Sequence, residues 1–415
     1  VVFPMMAGGA YMAITRQFSR TAWKKLDLWV VAAVALLIAA PWHILAALRN
    51  PPIFAFSMHS GPGEYHGFFW FYFFNEHLLR FLNLRYPRDY NTVPRIWFWL
   101  LNLVWLFPWS AYLAAAVRQP YGSGSRASRA RLMAACWTGV VMVFFTFSTT
   151  QEYYSMPIYP ALALLIGSAL ASGTQRLRAG FWTLQVVAAL LFAALATVLA
   201  MVWRLPANGD ISQALSQHPE LYTLSLGHMG DLTLNAFAYL KLPLALAAVA
   251  FAGIALALAI WRNHMGKAVL AVAAGMVIFF QAARTALVRF DSYLGSYPLA
   301  QSLMHAPPGQ LIEADAYYAF SSVFFYTGRT ALLLNGRTNN LEYGSYAPGA
   351  PKIFIDDARF SQLWQAPQRC YLLAYGSETA RLEQLVGRAN LHIVAENAGN
   401  FLFTNRALPL GQTSQ

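Results

Sequence analysis

Apolar residues along the chain gather in eight blocks, at about 1–15, 28–48, 96–117, 132–149, 156–173, 181–203, 242–261 and 268–290. Most approach the roughly 20 residues that carry a helix across a hydrocarbon core. Inside lipid every backbone N–H and C=O must find its partner within its own segment, so each block is predicted to be a helix. The pattern changes after residue 290. Short β-rich runs at Leu311–Ala314, Ala331–Leu334, Lys352–Ile355, Cys370–Ala374, His392–Ala395 and Phe401–Thr404 alternate with helical stretches near 317–326, 357–364 and 377–388. Such alternation predicts a small α/β layered domain. The expected fold is therefore a polytopic α-helical membrane region over 1–290, of about eight spans, followed by an α/β domain over 291–415.

Composition agrees: 58% of the 415 residues are hydrophobic and only 11% charged, against roughly 25% charged in a soluble domain. The net charge of +12 does not imply nucleic-acid binding, because the cations sit mostly in short loops between apolar blocks. Loops 16–27, 118–131, 174–180 and 262–267 are basic, carrying among others Arg16, Lys24, Arg118, Arg131, Arg176 and Lys267. Every second loop is thus basic, which places these loops in the cytoplasm. Segments 49–95, 150–155 and 204–241 and the 291–415 domain then lie outside, as expected for a protein of a bacterial cytoplasmic membrane. Cys136 and Cys370 fall in different regions and make no disulfide framework. The chain opens inside an apolar stretch without an initiating Met, and reads as a fragment preceded by further sequence.

Candidate chemistry concentrates on the outer side. Within 49–95, seven consecutive aromatics (Phe68–Phe74) run into Asn75, Glu76, His77 and Arg80. The stretch His66–Asn83 is too short and too polar to span, and fits a helix lying in the interface among lipid headgroups. Glu76 and Arg80, four apart, can pair. Arg80, Arg85, Arg88 and Arg95 concentrate cations beside an apolar wall, a setting suited to a lipid phosphate, which guanidinium grips with two N–H groups. A second polar stretch, Ser148–Pro160, holds Gln151, Glu152, Tyr153 and Tyr154 between two spans. An ordinary solvated rim and a plain helix–helix turn are the simpler readings of these two stretches.

Several short motifs recur in order along the chain: Pro41-Trp-His43; FFxxxFFNEHLLRF over Phe68–Phe81; Trp105-Leu-Phe-Pro-Trp109; and Gln151-Glu-Tyr-Tyr-x-x-Pro157. They resemble the protein O-mannosyltransferase-like membrane glycosyltransferases of the GT-C superfamily, which include the lipid A aminoarabinose transferases. Asn340-Leu-Glu-Tyr-Gly-Ser-Tyr346, Phe354-Ile-Asp-Asp357 and Arg369-Cys-Tyr-Leu-Leu373 are similar to the periplasmic domain of bacterial members. The resemblance implies transfer of a sugar from a polyprenyl-phosphate carrier to an acceptor on the outer face. It implies a catalytic carboxylate in a first outer loop, upstream of Val1 and so absent here. It places His77 by the active cavity, where it can bind a divalent metal, and Tyr153 or Tyr154 near the carrier phosphate. The lysine usual before that tyrosine is replaced by Gln151-Glu152.

The expected substrate-binding set is thus Glu76, His77, Arg80, Arg85, Tyr153 and Tyr154, with membrane lipid, a polyprenyl-phosphate sugar and an unidentified acceptor as partners. The rival reading is a non-enzymatic transporter or flippase of lipid-linked sugars. It calls for charged residues within the spans, where Arg284, near an outer end, is the main exception. The topology makes a direct forecast. In a chain lacking Cys136 and Cys370, single cysteines at Ser123 and Ser377 should react oppositely with a membrane-impermeant thiol reagent on intact cells. Equal labelling contradicts the arrangement.

Overall fold

A computed structural model describes residues 2–408 other than 89, 123, 174–176, 217, 219–223, 225 and 316; Asp89, Ser123 and Arg176 therefore lie outside the described residues. Among the described residues, six helices are long and apolar enough to cross a membrane: Trp23–Arg49, Arg126–Phe147, Glu152–Ala171, Leu177–Val202, Ala236–Ile260 and Met265–Asp291. The apolar block expected at 96–117 is not one straight span. Helices Arg95–Trp105 and Trp109–Val117 meet at 101°, with Pro108 at the break, where the ring removes a backbone donor and blocks helix continuation. Counting the bent pair as one gives seven. The first expected block forms a helix of 13 residues, Val2–Ile14. At 1.5 Å per residue it reaches about 20 Å, short of the roughly 30 Å hydrocarbon core.

Local sequence explains where these helices begin. Ser125 caps Arg126–Phe147 by accepting the Ser128 N–H (3.1 Å), while Ser128 Oγ accepts the Ser125 N–H (3.0 Å). This reciprocal box satisfies two otherwise orphaned donors. Tyr159–Ala171 carries Pro160 in its first turn, where the missing N–H costs nothing. With no water to expel between helices in lipid, close packing rests on small residues. A Cβ on Gly275 would lie 2.4 Å from Cγ1 of Ile254, so glycine there lets Met265–Leu294 lie against Lys241–Ile260. Phe98, Tyr112, Val141, Leu165, Leu184, Ile254 and Val272 belong to one buried cluster that joins these helices.

The helix Met265–Leu294 runs on into the C-terminal region. There, six strands form one sheet: β1 (Gln310–Ala314), β2 (Ala331–Leu334), β3 (Phe354–Ile355), β4 (Cys370–Tyr375), β5 (His392–Asn397) and β6 (Asn400–Thr404). Their order is β3-β2-β1-β4-β6-β5. β1 to β4 pair in parallel, and β6 joins β4 and β5 antiparallel. Successive residues of β4 enter opposite cores. Tyr371 and Leu373 pack with Leu299, Leu303, Phe320 and Val323 on one face. Leu372 and Ala374 pack with Phe360, Trp364, Leu382 and Val386 on the other. A period of two with both faces covered by helices is what a mainly parallel sheet requires.

A carboxyl is buried within this sheet. Glu313 on β1 is fully buried, with the Phe320 N–H donating to Oε1 (3.2 Å). Burial pushes its carboxyl up to about 9; the Phe320 N–H pulls it down and Asp315 adds to the rise. Folded and unfolded chains both hold this proton below the usual carboxylate range near 4.3. Above it the unfolded chain releases the proton and the folded chain does not, until about pH 9. Stability is therefore lost as pH rises between those limits, on the order of 3 kcal/mol by pH 7. Glu313→Gln should flatten this trend in urea melts of the domain's far-ultraviolet signal at pH 5 and pH 8. Equal pH dependence in both proteins contradicts a neutral Glu313.

Candidate functional site

The expected interfacial helix begins at Gly67 and continues through Arg80, with its middle, Trp70–Leu79, wound in the wider i→i+5 π register. Runs of π-helix are rare and appear often at functional sites. Gly67 starts it at φ +83°, where a Cβ would sit 2.0 Å from the Pro52 carbonyl oxygen; only glycine fits this approach. At the far end, the loop from Leu84 folds back so that Tyr86 lies against Asn75. The fully buried Asn75 amide donates to the Tyr86 carbonyl (2.5 Å) and accepts the Tyr86 N–H (2.9 Å). The side chain thus mimics one rung of a sheet.

This return sets the next pair in line. Glu76 Oε1 accepts Nε of Arg85 at 2.6 Å, and Oε2 accepts an Arg80 N–H at 2.9 Å. Arg85 is nearly buried and also donates to the Pro87 carbonyl (2.7 Å). Arg80 donates to the Tyr154 hydroxyl. Both guanidinium groups lie over Tyr90, at 5.6 and 5.8 Å from the ring centre, and Arg80 lies 5.7 Å from that of Tyr154. Burial lowers the proton affinity of Arg80, but Tyr154 and Glu76 more than offset it, leaving Arg80 raised. Arg80, Arg85 and Glu76, with the rings of Tyr90 and Tyr154 against the cations, make a partly dry, charged corner.

The polar turn expected at 148–160 forms the other wall. Thr149 donates to the Arg80 carbonyl, the Val93 N–H to the Thr150 carbonyl (2.9 Å), and the Gln151 amide to the Asn91 carbonyl (3.1 Å). Tyr154 therefore reaches Arg80 from a turn stitched to the loop at both ends. Tyr153 packs edge-on to Tyr154 at 4.9 Å and donates to Gln151. It stands one ring away from the arginines.

Of the expected substrate-binding residues, His77 is placed apart from Glu76 and Arg80. Adjacent helix positions diverge by about a quarter turn, and His77 faces the aromatic side. Its Nδ1 donates to the Tyr72 carbonyl (2.6 Å), and its ring lies 4.9 Å from that of Tyr72, which is 5.0 Å from His43. Among the described residues, no group of three or more His, Cys, Asp or Glu is placed to hold a metal. Arg95 also stands apart, lining a polar hollow of about 250 Å³ with Asn83, Thr92 and Thr149. Asn75, Tyr86 and Tyr90 were not foreseen as site residues. Only the density of polar groups in 75–91 hinted at them, since the fold-back of the loop carries no local signal.

The chain thus combines a multi-spanning helical region, an aromatic helix at its edge and a C-terminal α/β domain. No family model and no curated protein matches the chain. The crystal structure of ArnT from Cupriavidus metallidurans bound to undecaprenyl phosphate matches it with a TM-score of 0.71 at 20% identity, covering 100% of this chain and 66% of that one. ArnT in the apo state gives a TM-score of 0.68 at 20% identity, over 98% and 65%. The likeness is one of fold, and the chain spans about two thirds of the length of ArnT.

Proposed function

We propose that this chain forms the carrier-holding side of a glycosyltransferase that moves a sugar from a polyprenyl-phosphate carrier to an acceptor at the outer face of a bacterial cytoplasmic membrane. The observation that carries the reading is the Glu76–Arg80–Arg85–Tyr154 corner, placed where a π-wound aromatic helix meets the start of a span. The ArnT structure contains undecaprenyl phosphate, a ligand of the matching chemistry. Breaking a sugar–phosphate bond leaves growing negative charge on the departing phosphate. Preorganised cations that gain strength as that charge grows lower the barrier. Arg80 and Arg85 would supply this charge, with Tyr154 as a neutral donor. Glu76 keeps the two cations from repelling each other while no phosphate is present, and fixes both at one distance. His77, on the aromatic side, does not contact the phosphate in this scheme.

The reading is tested by titrating undecaprenyl phosphate into the chain in lipid nanodiscs and following tryptophan fluorescence. Each charge-assisted bond is worth about 1.5–3 kcal/mol, so Arg80→Ala should weaken binding at least about tenfold. Tyr154→Phe should weaken it by less, and His77→Ala should leave it within about threefold. Unchanged affinity in Arg80→Ala contradicts the assignment, as does a loss confined to His77→Ala.

A further inference from the structure

We infer that the C-terminal domain positions the phosphate-holding corner through one short helix, Asn339–Ser345, with Glu342 and Tyr343 as positioning residues. This rests on the reading of the corner given above. Tyr343 is almost fully buried, yet it belongs to neither core of its own domain; it packs instead with Trp70 and Leu79 of the interfacial helix. Its ring lies 4.6 Å from Phe71, 5.1 Å from Tyr65 and 5.6 Å from Trp70. Its hydroxyl accepts the His66 N–H and donates to the Gly67 carbonyl, both at 3.0 Å. Those two residues are where the interfacial helix starts. One tyrosine from the outer domain therefore fixes the origin of the helix that carries Glu76 and Arg80.

Glu342 fixes the other strand of the corner. Its Oε1 accepts the Tyr86 hydroxyl at 2.6 Å and the Tyr346 hydroxyl at 3.2 Å. Tyr86 is the residue whose backbone is held at both N–H and C=O by Asn75. Asn75 precedes Glu76, and Tyr86 follows Arg85. The Asn75–Tyr86 pair and the Glu76–Arg85 pair are thus consecutive rungs, and Glu342 holds the ladder from its outer end. Burial and the bond to Glu342 also keep the Tyr86 phenol protonated far above its ordinary range, so the donor is present at any physiological pH. An ordinary interdomain face is apolar or loosely polar. Here the contact is directional at both ends of the segment: Tyr343 holds the start of the helix that carries Glu76 and Arg80, and the Glu342–Tyr86 bond falls one residue from Arg85. The geometry of Arg80 and Arg85 then depends on how the outer domain sits.

The test uses Tyr86→Phe, Glu342→Ala, the double variant and Glu342→Gln in the whole chain in nanodiscs. Undecaprenyl phosphate affinity and hydrogen exchange across residues 67–90 are both read. Tyr86→Phe and Glu342→Ala should each weaken binding about fivefold, and the double variant no further, because both remove the same bond. Glu342→Gln, which still accepts from Tyr86, should stay close to the parent. Exchange over 75–86 should rise in the two damaging variants and not in Glu342→Gln. Additive losses, or unchanged affinity with unchanged exchange, overturn the inference. A parent chain that does not bind the carrier would sink the functional reading instead. The exchange data alone would then decide the positioning, with unchanged exchange against it.

Discussion

The carboxylate of Glu76 stands between two guanidinium groups at the point where the spanning helices, the aromatic helix and the loop that follows it converge. Arg85 is nearly buried, and an unpaired cation in such a place costs several kcal/mol. Removing Glu76 would also set two like charges against each other. Much of the nearby polar structure serves this balance. Asn75 and Tyr86 bring the loop back so that Arg85 can reach the acid. Thr149 ties the helix end to the turn that presents Tyr154. Tyr90 lies beneath both cations, where an aromatic face is attracted to them without competing for their N–H groups.

The bilayer imposes the second constraint. Helices that must satisfy their own backbone leave little freedom for chemistry inside the span, so polar work moves to the ends, where breaks are tolerated. The 101° break at Pro108, the π-wound interfacial helix and the tight turn before Pro157 are departures from regular helix. The last two frame the arginine corner. The C-terminal domain has a different economy: its sheet is buried on both faces, and the buried Glu313 carboxyl is held neutral.

Much of the fold was legible in the sequence because its signals are local. The eight apolar blocks all became helices, although one is broken and one is short. The six strand runs appear as six strands, with Ala331–Leu334 matching end to end. Helices Tyr297–His305 and Asn339–Ser345 were not foreseen. The first is short, with Pro298 in its first turn, and the second has glycine and asparagine in place of an apolar stripe. The Glu76–Arg80 pair was readable from its four-residue spacing. The placement of His77 was not, because spacing cannot tell which of two neighbouring polar residues faces an aromatic cluster. Nor could any local pattern join Tyr86 to Glu342, 256 positions apart.

In the proposed function a lipid-borne phosphate settles at the Arg80–Arg85–Tyr154 corner. A polyprenyl phosphate carrying a photoreactive group on its first isoprene unit, activated in the reconstituted chain and mapped by mass spectrometry, addresses this directly. Crosslinks should fall within 76–90 and 149–154, and undecaprenyl phosphate in excess should abolish them. Crosslinks confined to other segments, or undiminished by the competitor, would contradict the account.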